Sequence, residues 1–176
     1  MVTMKKFLIL GNINSVSCKD IFPLFVNNEF WISPSIINGT VKFYVPDDYE
    51  VKSKSGGRNL DGTKYINVKG VRWFTNIGER RYSEPLILNK RYSSGEYIMF
   101  DEYPAINVDK RKDIPYDYEG IMGVPLTFLD KYNPRQFEIV GKAMHGNSTQ
   151  CLDLFVPYIN GKKKYIRILI RKKINK

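Results

Sequence analysis

Apolar residues recur at every second position through much of this chain, the spacing of strands with one covered face. Residues 41–45 are the plainest case, with Val41, Phe43 and Val45 on one side and Pro46-Asp47-Asp48 closing the run. Residues 5–10 form a compact apolar run that predicts a short buried strand ending at Gly11-Asn12. Behind it, Ile21, Leu24 and Phe25 fall at helical spacing, and Ser15 or Ser17 stands where a cap would open a helix over about 18–27. Pro23 lies inside that span, so the helix is expected to begin late. Strand, turn and helix in that order predict a β-α unit of a parallel sheet.

The same reading predicts strands over 30–33, 68–76, 84–89, 105–108 and 137–141, a hairpin turn at Asn38-Gly39, and a short helix over 125–132 before Asn133-Pro134. Residues 51–63, with Lys52, Lys54, Gly56, Gly57 and Arg58, predict a polar mobile loop; 92–117 read as irregular apart from the strand at 105–108, and 146–150 as a polar loop. Near the end, 152–158 and 163–170 flank Asn160-Gly161, a strong two-residue turn signal. Alternation in the last strand sets Ile166, Ile168 and Ile170 on one face and Lys163, Tyr165, Arg167 and Arg171 on the other, broken by Leu169. The expected fold class is mixed α/β: strand-rich, with few helices and a C-terminal β-hairpin.

Composition adds one asymmetry to this picture. The net charge is +10, yet residues 162–176 carry eight basic residues and no acid, while the rest of the chain sets 20 basic against 18 acidic residues. Such a cluster suits a polyanion, with a solvated, solubilising tail as the alternative. The candidate phosphate contacts are Lys162, Lys163, Lys164, Arg167, Arg171 and Lys172, with Arg58 in the 51–63 loop. Aromatic residues make up 14% of the chain, which suits a Tyr-rich β core or a stacking surface. Trp73 and Phe74 are stacking candidates that core packing would equally explain.

Other chemistry is sparse. Cys18 and Cys151 are too few for a disulfide framework and stand in no metal spacing with the single histidine, His145, so zinc is not expected and a reducing cytoplasm fits. His145 lacks a catalytic partner, and Asp47-Asp48 and Asp101-Glu102 read as surface acids, because neighbouring side chains on a strand point apart. Gly56-Gly57 has no phosphate-loop pattern around it. MVTMKKFLILGN has too short an apolar run for a signal peptide, and no segment approaches the ~20 apolar residues of a membrane span.

Several blocks carry more than periodicity. FLDKYNPRQFEIVG (residues 128–141), VRWFTNI (71–77) and NGKKKYIRILIRK (160–172), together with KKFLILGNINSVSCKDIFPLF (5–25), KFYVPDDYE (42–50) and EPLIL (84–88), resemble in order and spacing the C-terminal half of adenine-specific DNA methyltransferases of the EcoRI family. The resemblance spans residues 5–172 and implies methyl transfer from S-adenosylmethionine to the N6 amino group of adenine in double-stranded DNA, within a restriction-modification type system. It further implies one domain over 1–176, with 1–90 supplying later strands of the catalytic sheet and 91–176 a DNA-contacting region.

Such chemistry needs a base extruded from the duplex, a loop of the type Asn/Asp-Pro-Pro-aromatic to hold it, and a Gly-containing turn for the cofactor. Neither string occurs in these 176 residues; Asn133-Pro134-Arg135 has arginine where the second proline would stand. No residue is therefore assigned to catalysis or to S-adenosylmethionine, and the chain alone is expected to lack activity. The catalytic half is expected as a lost or separate polypeptide, with the edge beside residues 5–10 open to that half or to a second copy. A standalone basic DNA-binding protein and an inert remnant or structural subunit are the other readings.

Overall fold

The computed structural model describes residues 5–33, 35–36, 39–51, 55–78, 84–144 and 153–173. His145, Cys151, Asn38, Lys52, Lys54 and the 146–150 loop lie outside the described residues. The rest is strand-rich, with one α-helix of five residues among the described residues and mixed strand directions, in keeping with the mixed α/β expectation. Contacts divide the chain into two compact units, residues 1–15 with 30–79 and residues 16–29 with 80–176.

The first unit holds two antiparallel sheets. Its strands are β1 (Leu8–Asn12), β2 (Trp31–Ile32), β3 (Thr40–Tyr44), β4 (Gly56–Arg58), β5 (Lys64–Lys69) and β6 (Val71–Thr75), ordered β1-β6-β2 and β3-β5-β4. The run expected as one strand over 68–76 is thus two, in different sheets. Gly70 makes the break: its φ of +76° turns the chain at low cost only for glycine. β1 pairs antiparallel with β6, Leu8 opposite Thr75, which corrects the expected parallel β-α unit. It is also an edge strand with Leu8 and Ile9 more than half exposed, not a buried one. Inside the unit Phe30 meets Phe74 edge-on at 6.0 Å, so Phe74 (6% exposed) packs into the core.

The second unit is built on a five-stranded mixed sheet. After α1 (Phe22–Val26) come β7 (Ala105–Asn107), β8 (Ile121–Pro125), β9 (Phe137–Ala143), β10 (Asp153–Phe155), β11 (Tyr158–Ile159), β12 (Lys162–Lys163) and β13 (Arg167–Lys172). The order is β10-β9-β13-β8-β7, with β11 and β12 as a separate pair. β13 runs antiparallel to both β9 and β8, whereas β10 and β7 pair parallel to their neighbours. β13 is therefore central, and Ile168, Leu169 and Ile170 are all fully buried. A central strand covered on both faces loses the alternation expected of a half-buried hairpin arm.

The run FLDKYNPRQFEIVG supplies much of this core. The short helix expected over 125–132 forms as a 3-10 helix, Leu126–Lys131, and directs Leu126, Phe128 and Leu129 inward. Phe128 packs edge-on against Phe137 at 5.3 Å. Asn133 is 3% exposed: its side-chain oxygen accepts from the Arg135 N–H, and its carbonyl accepts from the N–H groups of Gln136 and Phe137. Asn133-Pro134 is thus a turn that launches β9. The Gln136 side chain then bonds both N–H and C=O of Leu86, holding the 84–89 segment extended but outside any sheet, where a strand was expected.

Lys142 is the least expected core residue. It is 1% exposed, its ammonium lies 3.1 Å from Asp153 and donates to the Ser17 carbonyl, and the Phe22 ring lies 5.1 Å away. Removing one partner of a buried pair leaves a buried charge, which costs more than the pair contributes. This ties residues 16–29 to β9 and β10. Helix α1 starts at Phe22 with Pro23 in its first turn, so the late start is as expected.

The break at Gly70 gives a direct test. Gly70→Ala places a β-carbon at positive φ, 3.1 Å from the Asn12 side chain, and should lower stability by about 1–2 kcal/mol in urea unfolding. An unchanged midpoint would show that the turn is not required.

Candidate nucleic-acid interface

The two-residue turn at Asn160-Gly161 forms as its sequence demands. Both residues have positive φ, +50° and +71°, and β11 pairs with β12 through Tyr158 opposite Lys163 and Ile159 opposite Lys162. This tight hairpin exposes Lys162 and Lys163. What grips it is Asp101, whose two carboxylate oxygens accept the N–H groups of Asn160 (2.8 Å) and Gly161 (2.9 Å). Carboxylates bonded by backbone N–H groups make strong, charge-assisted contacts. Asp101 was expected as a plain surface acid, and no sequence pattern links it to a turn 59 residues away.

The other predicted cations sit in different settings. Arg167, the first residue of β13, is 8% exposed, so the exposed row expected on its face of the strand does not form. Its guanidinium donates to Asp109 at 2.7 Å and to the Asn107 side chain at 3.0 Å. Lys164, partly buried, reaches the other oxygen of Asp109 at 3.5 Å. Burial alone would raise the Asp109 carboxyl, but the hydrogen bond with Asn107 and the charges of Lys164 and Arg167 outweigh it and hold it below the usual range.

Lys172 donates to the Tyr116 carbonyl, and Arg171 is exposed. Arg58 lies in β4, not in a free loop: it forms an exposed ion pair with Asp47 at 2.6 Å and donates to the Gly62 carbonyl. The strand forms there because Gly56 packs against the Tyr65 carbonyl where a β-carbon would not fit. Arg58 belongs to the first unit and the other six predicted phosphate-binding residues to the second.

Residues 92–117, expected as largely irregular, are tied to each other and to their neighbours by specific bonds. Tyr97 is buried, and its hydroxyl donates to the Asp113 carbonyl at 2.7 Å. Tyr92 stacks with Tyr97 at 5.7 Å and lies 4.6 Å from Tyr118. Asp117 accepts the Tyr92 N–H and pairs with Arg91, which together hold its carboxyl low. A small polar cavity of about 210 Å³ lies beside these elements, lined by Asn107, Asp109, Lys164, Tyr97, Asp113 and Glu96 among others. Among the described residues no group of three or more His, Cys, Asp or Glu side chains is arranged to hold a metal. No helix among them is long and apolar enough to cross a membrane.

Comparison with known proteins now decides the family. Residues 1–173 match the family described as adenine-specific methyltransferase EcoRI. The chain belongs to this family. It is 40% identical to the type II methyltransferase M.EcoRI of Escherichia coli over 171 residues, which cover 96% of this chain and 51% of that protein. It is also 38% identical to the type II methyltransferase M.MgeORF184P of Mycoplasma genitalium and 35% identical to M.MpnI of Mycoplasma pneumoniae, covering 57% and 58% of those proteins. The chain thus spans a little over half the length of each. No solved structure matches it.

Gly11-Asn12, the pair at which the first strand was expected to end, lies inside β1. Gly11 is covered by the Phe74 ring, and the Asn12 side-chain oxygen accepts the Asn14 N–H, so these residues do not fit S-adenosylmethionine.

Two outcomes follow from this geometry. Asp101→Ala should speed amide exchange at Asn160 and Gly161 by at least tenfold while the β8-β13-β9 core stays protected; equal protection in the variant would deny the clamp. For Asp109, a carboxyl lower in the folded than in the unfolded chain stabilises fully above the unfolded value near 3.8. That stabilisation is lost as pH falls through the folded value. Asp109→Asn should therefore be less stable than the parent at pH 7, the gap closing below about pH 4; a constant gap across that range in urea titrations would contradict it.

Proposed function

We propose that this chain is the C-terminal portion of an S-adenosylmethionine-dependent DNA adenine-N6 methyltransferase of a restriction-modification type system, and that its share of the work is binding double-stranded DNA and target recognition. The observation that carries the reading is the family match over nearly the whole chain, combined with coverage of little more than half of each relative. The lack of an Asn/Asp-Pro-Pro-aromatic string and of a fitting cofactor turn supports assigning methyl transfer to a complementary half.

On this reading the chain's own residues bind and position. Lys162 and Lys163 on the clamped hairpin, with Arg171 and Lys172 on β13, approach phosphates of the duplex. Lys164 and Arg167 contribute through Asp109, holding the hairpin and β13 to the segment after β7. Arg58 is a further candidate phosphate ligand in the first unit. The complementary half, or a second copy, would pair along the open edge of β1, where Leu8 and Ile9 are exposed. A standalone DNA-binding protein is the second reading, favoured by the eight cations within residues 162–176.

Purified chain should retain duplex DNA with affinity that falls steeply with salt, yet bind no labelled S-adenosylmethionine and transfer no methyl group. Methylation of duplex adenine by this chain alone would overturn the division of labour. Affinity insensitive to salt would overturn the DNA-binding assignment. Cofactor binding and transfer restored by adding the unmatched half of M.EcoRI would favour the methyltransferase reading over the standalone one.

A further inference from the structure

Four of the seven cations predicted from sequence are engaged, Arg58 by Asp47, Lys164 and Arg167 by Asp109, and Lys172 by the Tyr116 carbonyl, while Lys162, Lys163 and Arg171 are exposed. A further exposed group in the second unit lies outside that set. Lys110, Arg111 and Lys112 are consecutive, all exposed, and sit at the start of a 3-10 turn, Arg111–Asp113. None makes a side-chain hydrogen bond or ion pair with another described residue.

The acids around them are engaged. Asp109 is shared by Arg167 and Lys164, Asp117 is held by Arg91 and the Tyr92 N–H, and Glu96 pairs with Lys90 at 2.7 Å. The three charges are therefore weakly compensated locally, with Asp113 the neighbouring acid in the turn.

The segment is also built rather than loose. Ile114 is fully buried directly behind the cations. The Tyr97 hydroxyl holds the Asp113 carbonyl, the Tyr116 N–H bonds the Lys90 carbonyl, and Lys172 bonds the Tyr116 carbonyl. This last bond ties the end of β13 to the same segment. A fixed backbone presenting exposed cationic tips suits a ligand with repeated, evenly spaced negative charge and costs little ordering on binding. The cavity nearby is lined by three acids, Glu96, Asp109 and Asp113, against one lysine, Lys164, which disfavours a small anion there.

We infer that Lys110, Arg111 and Lys112 form a preformed surface for the phosphodiester backbone of duplex DNA. This rests on the DNA-binding reading above and names a surface that the basic C-terminal stretch alone does not supply. Because it meets phosphate, it sets position and affinity rather than base choice.

The test uses the full chain with a fluorescent duplex across a salt series. Lys110→Glu, Arg111→Glu and Lys112→Glu together should weaken binding at least tenfold and flatten the salt slope by about 0.9 for each phosphate no longer neutralised. Lys19→Glu with Lys131→Glu, both exposed cations of the same unit, is the control for most of the charge change (four charges against six) and should change affinity less than threefold. Circular dichroism and the melting temperature of the triple variant should match the parent, since the altered side chains are exposed and bonded to no other described residue. If the parent binds DNA and the triple variant matches it in affinity and slope, or falls no further than the control, the inference fails while the DNA-binding reading stands. If the parent does not bind DNA, both fall.

Discussion

The ion pair between Arg167 and Asp109 is the constraint on which the arrangement of the second unit's surface depends. Arg167 begins the central strand, Asp109 follows β7, and Lys164 on the far oxygen of the same carboxylate leads back to the β11-β12 hairpin. One carboxylate thus joins the segment after β7 to the distant stretch that runs from the hairpin into β13. Arg167 is almost wholly buried while Asp109 remains about half exposed, so the pair lies at the rim of the sheet. Loss of the acid would leave a guanidinium with Asn107 and two long carbonyl bonds, at 3.4 Å, as its remaining partners.

A second ion pair lies close by in the same sheet, since Lys142 stands opposite Ile168, the residue after Arg167. Lys142 and Asp153 join β9 to β10, and the Lys142 ammonium also donates to the Ser17 carbonyl. Around these charges the sheet is apolar, with Met122, Val124, Phe137, Ile168 and Ile170 buried.

Distribution of charge and distribution of function need not coincide, and here they part. The cations of the C-terminal stretch divide between structural and exposed roles: Arg167 is buried in a pair, Lys172 is bonded to backbone, and Lys162, Lys163 and Arg171 face outward. Lys110, Arg111 and Lys112 lie among acids in the sequence and so vanish in a charge count along the chain. In the fold they are exposed, while Asp109 and Asp117 beside them are taken up by other cations.

The sequence alone determined the family, through ordered blocks over 5–172, and the local features whose cause is local. These are the Asn160-Gly161 turn, which needs two residues at positive φ, the late start of α1 at Pro23, the alternating strand at 41–45 and the strand at 137–141. Tertiary structure decided what depends on partners. Whether 68–76 is one strand or two rests on the turn Gly70 takes between two sheets, and whether β1 is buried rests on where its sheet ends. The central place of β13 follows from pairing with β8 and β9, strands well upstream in the chain, and pairing covers both faces of what alternation marks as half exposed. Asp101 and Asp109 acquire their partners the same way. A hydrogen bond or ion pair is short-ranged, and only the folded chain brings its two ends within reach.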